Sequence, residues 1–273
     1  MSNAPPKLPP PPARKPATPA ATGKTFAIGH GRVSGAAQRT VLYGPGGVGK
    51  STLASLAPSP VFLDIEHGTR ELDVPRVDGI ESFADLRSVL QSDLLDPYRS
   101  IILDSATRAE EFAIAHTLGT VPTEKGDHVA NIEAYGFGKG YQHVYDTYLL
   151  LLADFDRHIR AGRHVILIAH DCTADVPNPM GENFIRYEPH LQSPKSGKAS
   201  IRNRVVQWAD HVLFLGYDVI AKDGKGKGGG TRTIWTVELP SHVAKSRLVA
   251  EARPYESPTD ATIWSLILNG GQP

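Results

Sequence analysis

The run Gly44-Pro45-Gly46-Gly47-Val48-Gly49-Lys50-Ser51 constrains this chain more than any other feature in it. It follows a short apolar stretch, Thr40–Tyr43, and opens a segment of helical character from Lys50 to Leu56. Strand, glycine loop and helix in that order give the spacing G-x-x-x-x-G-K-[ST] the context in which it has meaning. Glycines let the backbone wrap until several N–H groups point inward, and the helix start adds partial positive charge, which together make a cradle for phosphate. On this reading Gly44, Pro45, Gly46, Gly47, Val48 and Gly49 line the cradle of a nucleoside triphosphate. Lys50 reaches the β- and γ-phosphates, the Ser51 hydroxyl ligates Mg²⁺, and Thr52 contacts the α-phosphate.

Three further strand ends add chemistry to that loop. Ile101-Ile102-Leu103-Asp104 is an apolar strand ending in an acid, and a carboxylate beside a phosphate loop holds the hydration shell of Mg²⁺. Val61–Asp64 runs on into Ile65-Glu66-His67, and since hydrolysis needs a group that orients and deprotonates water, Glu66 is the candidate base, with an exposed loop acid as the alternative. His164–Ala169 ends at His170, which reads either as a sensor of the γ-phosphate or as a structural histidine. Asp171 and Cys172 beside it make no metal site, because three consecutive residues rarely converge on one ion. Cys172 is the sole cysteine, which excludes an internal disulfide and any multi-cysteine zinc or iron–sulfur centre and fits a reducing compartment.

The rest of the chain reads as alternating strands and helices. Strands are expected at Thr40–Tyr43, Val61–Asp64, Ser100–Asp104, His164–Ala169 and His211–Tyr217, most of them too uniformly apolar for a one-faced sheet, as in parallel strands buried on both sides. Helices are expected at Lys50–Leu56, Phe83–Leu90, Thr107–Leu118, Tyr141–Ala161 and Ile201–Trp208, giving an α/β fold with right-handed crossovers. Val212–Ala221 and Thr231–Leu239 flank a lysine- and glycine-rich tip as an antiparallel hairpin, a short strand is expected near Arg247–Ala250, and a helix around Asp260–Leu268. Residues 1–25 hold eight of the 22 prolines and few large apolar side chains, so a disordered, partly polyproline-II tail is expected there. Neither a signal-peptide core nor an apolar run of the ~20 residues that span a bilayer is present, so a soluble cytoplasmic protein without membrane contact is expected.

Taken in order, these elements resemble the RecA/DnaB class of P-loop ATPases. Phe62-Leu63-Asp64-Ile65-Glu66-His67 is similar to the strand that carries the RecA catalytic glutamate, and Ile102-Leu103-Asp104-Ser105 to its Mg²⁺ strand, while His170 stands where RecA has a glutamine sensor. Trp208-Ala209-Asp210-His211-Val212-Leu213-Phe214-Leu215, the hairpin and Lys245-Ser246-Arg247 follow the same order. The stretch Ile132–Tyr141 with Ala169-His170 resembles phage-encoded RecA-core ATPases, among them single-strand annealing proteins of the fourth Sak type. The resemblance covers about 40–255. It implies a RecA-like core over 26–255, mostly parallel sheet flanked by helices, with 256–273 a short extension. It further implies ATP and Mg²⁺ as cofactors, trans contacts from Lys245 and Arg247 to a neighbouring subunit's nucleotide, and a filament or ring of copies in the host cytoplasm. The resemblance does not extend to the oligomerisation helix and C-terminal domain of full RecA, and Arg70 stands where RecA has an acid near the adenine.

Charge decides how nucleic acid is expected to bind. With 29 Lys+Arg against 29 Asp+Glu the formal net charge is zero, which excludes binding by bulk positive charge and leaves local patches. In RecA-like ATPases the segments after the Mg²⁺ strand and the sensor strand grip DNA. Here the second, Asp171 to Arg204, carries Arg186, Lys195, Lys198, Arg202 and Arg204 against Glu188, with Phe184 or Tyr187 able to stack on bases. The glycine-rich run with Lys139 and the tip Lys222, Lys225 and Lys227 are lesser candidates. The expectation is an ATPase that binds single-stranded DNA in annealing or recombination, with a single-strand-binding protein as a further partner. A DnaB-like translocase or helicase loader and a nucleotide-gated interaction module with little turnover are the alternatives.

Overall fold

The computed structural model describes residues 35–222 and 225–268, apart from the side chains of 219–229. The proline-rich tail and the side chains of Lys222, Lys225 and Lys227 fall outside these. Along the chain the elements are β1 (Arg39–Tyr43), α1 (Lys50–Ser55), β2 (Pro60–Asp64), α2 (Phe83–Gln91), β3 (Ser100–Asp104), α3 (Ala106–Thr120), α4 (Lys139–Arg160), β4 (His164–Ala169), β5 (Asp171–Val176), β6 (Phe184–Pro189), α5 (Ile201–Trp208), β7 (His211–Lys222), β8 (Lys225–Trp235), β9 (Arg253–Pro254) and α6 (Thr262–Leu268). A 3₁₀ turn at Ile132–Tyr135 precedes α4.

The uniformly apolar runs become parallel strands because both of their faces are covered. The sheet has seven strands in the order β2-β3-β4-β1-β7-β8-β9, parallel from β2 to β7 and antiparallel at β7-β8-β9. The two-residue side-chain period of the strands divides the core in two. Val41, Leu63, Ile101, Leu103, Val165 and Leu167 face α2, α3, α4 and α5, while Leu42, Phe62, Ile102, Ile166, Leu213 and Ile234 face α1 and α6. Each such large apolar side chain, taken from water to full burial, contributes about 1.5–3 kcal/mol. The expected mostly parallel α/β sheet with a C-terminal antiparallel hairpin is therefore the observed architecture.

Three expectations are corrected. The segment 171–204 holds an antiparallel hairpin of its own, β5–β6, paired from Asp171↔Pro189 to Val176↔Phe184. Apart from the buried Glu188 and Pro189 that end β6, its strands mix partly covered and exposed positions, so neither reads as a core strand. β8 begins at Lys225, earlier than the expected Thr231, and the last strand lies at Arg253–Pro254 rather than near Arg247. The helix expected around Asp260–Leu268 is present as α6, which buries Ile263, Trp264, Ile267 and Leu268 beneath α1, and the Trp264 indole donates to the Leu53 carbonyl at 2.6 Å. Among the described residues no helix is long and apolar enough to cross a membrane.

Candidate nucleotide site

Register places the chemistry at one edge of the sheet. Asp64 pairs with Asp104, Asp104 with Ile168, and Ala169 with Tyr43. Gly44, Glu66, Ser105 and His170 thus leave the sheet together. The chain passes from β1 through α1 to β2 across two intervening strands, and crevices beyond the carboxyl ends at such a reversal are where open α/β sheets bind ligands.

The loop between β1 and α1 is fitted closely to β7. Gly44 has φ +155°, and a Cβ on it would lie 2.0 Å from the Leu215 carbonyl oxygen, so no side chain fits. Gly49 ends the loop in a left-handed conformation at the N-cap of α1. Lys50 is buried, and its ammonium donates to the carbonyls of Gly44 at 2.7 Å and Pro45 at 2.8 Å. Burial pulls its pKa down, opposed by Asp104, Asp171 and Glu66. An ammonium held only by loop carbonyls, with carboxylates near it, is placed to exchange those carbonyls for phosphate oxygens.

Asp104 is 5% exposed and accepts a hydrogen bond from the Ser51 hydroxyl at 2.6 Å. Burial pushes its carboxyl up to about 6, the charges of Glu66 and Asp64 add to this, and Ser51 and Lys50 oppose it. A buried carboxylate short of positive charge, touching a hydroxyl at a phosphate loop, is a hard-oxygen donor set of the kind Mg²⁺ takes. Asp64 has a different task. Its carboxylate accepts from the Thr69 hydroxyl at 2.5 Å and from the N–H groups of Thr69 and Gly68 at 2.9 and 3.0 Å. Burial pushes its pKa up, but those donors outweigh burial and hold it below the ordinary carboxylate value. The turn that Asp64 fixes presents Glu66.

Glu66 is gripped from two sides. The Ser105 hydroxyl donates to its carboxylate, and His170 Nε2 lies 3.1 Å from both carboxylate oxygens. Ser105 is also the N-cap of α3, accepting from the Arg108 N–H at 3.1 Å. Two residues on, Thr107 Oγ1 accepts from the His170 N–H and donates to the His190 carbonyl, both at 3.1 Å. Glu110 then accepts from the Gln192 N–H at 2.7 Å, while the Gln192 side chain donates to the carbonyls of Tyr141 and Ala199. The first two turns of α3 thus join Glu66 and His170 to the segment 190–204. Sequence reading missed Thr107, Glu110 and Gln192. The one local signal was a serine ahead of a helical run, the mark of an N-cap.

The remaining candidates divide by what they touch. Arg186 pairs with Glu188 at 2.6 Å and Glu238 at 2.7 Å. Arg202 pairs with the same Glu188 and donates to the Leu191 carbonyl at 3.1 Å. The basic surplus of this segment is accordingly smaller than its composition, with Lys195, Lys198 and Arg204 left on the exposed surface. Lys139 pairs with Glu124 at 2.5 Å. Lys245 exchanges backbone hydrogen bonds with Val212, and Arg247 lies 3.6 Å from Asp210, which precedes β7. That is the end of the sheet remote from Gly44. Among the described residues no cluster of histidine, cysteine, aspartate and glutamate has the makings of a metal site of its own.

No curated protein matches the sequence. Among solved structures the chain is similar to a KaiC-like protein from the hyperthermophilic archaeon Pyrococcus horikoshii, at 15% identity and a TM-score of 0.42, over 83% of this chain and 88% of that one. A family model described as an AAA domain, AAA_24, matches residues 36–248. That match takes in β1, the phosphate loop, the acids of β2 and β3 and the strand that leads into His170, and on it the chain belongs to the AAA domain family.

Proposed function

We propose that this chain is an Mg²⁺-ATP-dependent ATPase of the phage-encoded Sak type that binds single-stranded DNA, acting in annealing or homologous recombination as a head-to-tail filament or ring. The observation that carries the reading is the hydrogen-bonded path from Glu66 and His170 through Thr107 to His190, with Glu110 and Gln192 beside it. It gives nucleotide state a physical route to the segment bearing Lys195, Lys198 and Arg204. Lys50 leaves the carbonyls of Gly44 and Pro45 for the β- and γ-phosphates, and the N–H groups of the loop receive the remaining phosphate oxygens. Ser51 and Asp104 would hold magnesium, which would supply charge neutralisation at the phosphates. Glu66 orients the attacking water and takes its proton, Ser105 and His170 fixing its carboxylate. Arg247 lies at the end of the sheet remote from the phosphate loop, so a nucleotide that it or Lys245 meets belongs to another copy, which supports a head-to-tail arrangement.

Fluorescence anisotropy of a labelled single strand, with and without a non-hydrolysable ATP analogue, tests the reading. Tighter binding with the analogue is expected, with the gain lost in Lys50→Ala and kept in Glu66→Gln. DNA binding that ignores both the analogue and Lys50→Ala would overturn it.

A further inference from the structure

The strands β7 and β8 carry a cross-strand pair, Tyr217 and Arg232, whose polar ends both turn onto the phosphate loop. The Tyr217 hydroxyl donates to the Gly47 carbonyl at 3.3 Å, and Arg232 Nη1 donates to the Val48 carbonyl at 3.0 Å. These carbonyls are consecutive. Within a planar trans peptide the C=O of one residue and the N–H of the next point in opposite directions. Fixing the Gly47 and Val48 carbonyls toward β7–β8 therefore turns the N–H groups of Val48 and Gly49 the other way, and the Val48 N–H faces across the loop to Pro45 O at 3.4 Å.

The guanidinium is itself held in place. Its Cζ lies 4.5 Å from the centre of the Tyr255 ring, a cation–π contact, and the Tyr255 N–H donates to the Arg232 carbonyl at 2.7 Å. A Cβ on Gly49 would stand 2.8 Å from Arg232 Nη1 and 3.3 Å from the Tyr255 ring. The glycine ahead of Lys50 is thus needed here for the close approach of this clamp as well as for its own φ of +106°. The pair is separated from the loop by 170 residues at Tyr217–Gly47 and 184 at Arg232–Val48, so no motif announces it.

We propose that Tyr217 and Arg232 are positioning residues for phosphate recognition, pinning two consecutive loop carbonyls outward so that the following N–H groups stay aimed into the cradle. Tyr255 stacks beneath Arg232 and completes the clamp. The inference rests on the nucleotide reading of the loop, and it concerns affinity for the phosphates, not the hydrolytic step.

Two measurements on Tyr217→Phe, Arg232→Gln and Arg232→Lys test it. The first is hydrogen exchange of residues 44–53 in the protein without nucleotide, where both hydroxyl and guanidinium loss are expected to speed exchange and Arg232→Lys to restore part of the protection. The second is calorimetric titration with ATP and with ADP. Affinity should fall about fivefold for Tyr217→Phe and about tenfold or more for Arg232→Gln, equally for the two nucleotides and with the loss in KM rather than kcat. Tyr217→Phe removes one surface hydroxyl and guards against a folding defect at Arg232. Unchanged loop exchange together with unchanged affinity in both variants would overturn the clamp. A wild-type protein that bound neither nucleotide would instead overturn the nucleotide reading, and loop exchange would still decide whether the carbonyls are held.

Discussion

The phosphate loop and the 171–204 segment present opposite cases of how charge and backbone make a site. The loop presents main-chain groups at adjacent positions, so it is legible in its own composition even though Tyr217 and Arg232 brace it from far along the chain. The segment 171–204 advertises five basic side chains, yet two of them, Arg186 and Arg202, are turned inward onto Glu188. A backbone site is written locally, whereas the availability of a charged side chain depends on partners that can lie far along the chain, as Glu238 does from Arg186.

Removing Glu188 should separate the two regions most sharply. Glu188 is 7% exposed, and replacing it with glutamine leaves Arg202 without its anion and Arg186 with only the exposed Glu238. A loss of about 3–5 kcal/mol and of about 10 °C in the unfolding midpoint is expected by calorimetry. A comparable effect on ligand rather than fold comes from Lys50→Ala, which should weaken ATP binding about a hundredfold, some 3 kcal/mol, while the unfolding midpoint stays near that of the wild type.

Acidification probes the sheet under both regions. Burial drives His164 and His211 from 6.5 down to about 4. The unfolded chain takes up these protons first as pH falls below 6.5, so stability is full above that value and is lost progressively toward pH 4. Glu110 acts with the opposite sign. Burial lifts it to about 7, so its contribution is full at low pH and fades as pH rises from 4.5 through 7. Asp104, raised to about 6, acts with the sign of Glu110, so the test is the difference between proteins: in thermal scans from pH 7.5 to 4.5 the midpoint of a His211→Gln variant should fall less than that of the wild type.

Smaller effects sharpen the contrast within the basic segment. Each of Lys198→Ala and Arg204→Ala should reduce the salt dependence of single-strand binding by about 0.7 in log–log slope if each neutralises one phosphate, while Arg186→Ala leaves the slope unaltered. Lys139→Ala, which breaks one exposed pair with Glu124, should change stability by less than about 0.5 kcal/mol by denaturant titration.

Much of the fold was legible because it rests on local pattern. Uniformly apolar runs marked the parallel strands, the glycine-rich run marked the loop, and Asp104 and Glu66 were marked by their places at strand ends. What escaped depends on distance. Nothing near Gln192 announces that Glu110 accepts its N–H, 82 residues away. Trp264 sits in an unremarkable stretch until its indole meets the Leu53 carbonyl, 211 residues earlier. The β5–β6 hairpin escaped for a different reason, since half-covered strands with polar alternation look like the loop around them.

Hydrogen exchange in the hydrolysis-impaired Glu66→Gln protein, with and without Mg²⁺-ATP, tests most directly whether the nucleotide site governs the basic segment. Slower exchange is expected in 44–53 and, through Thr107, Glu110 and Gln192, across 190–204. Protection confined to 44–53, with 190–204 exchanging as before, would contradict a nucleotide-controlled binding segment.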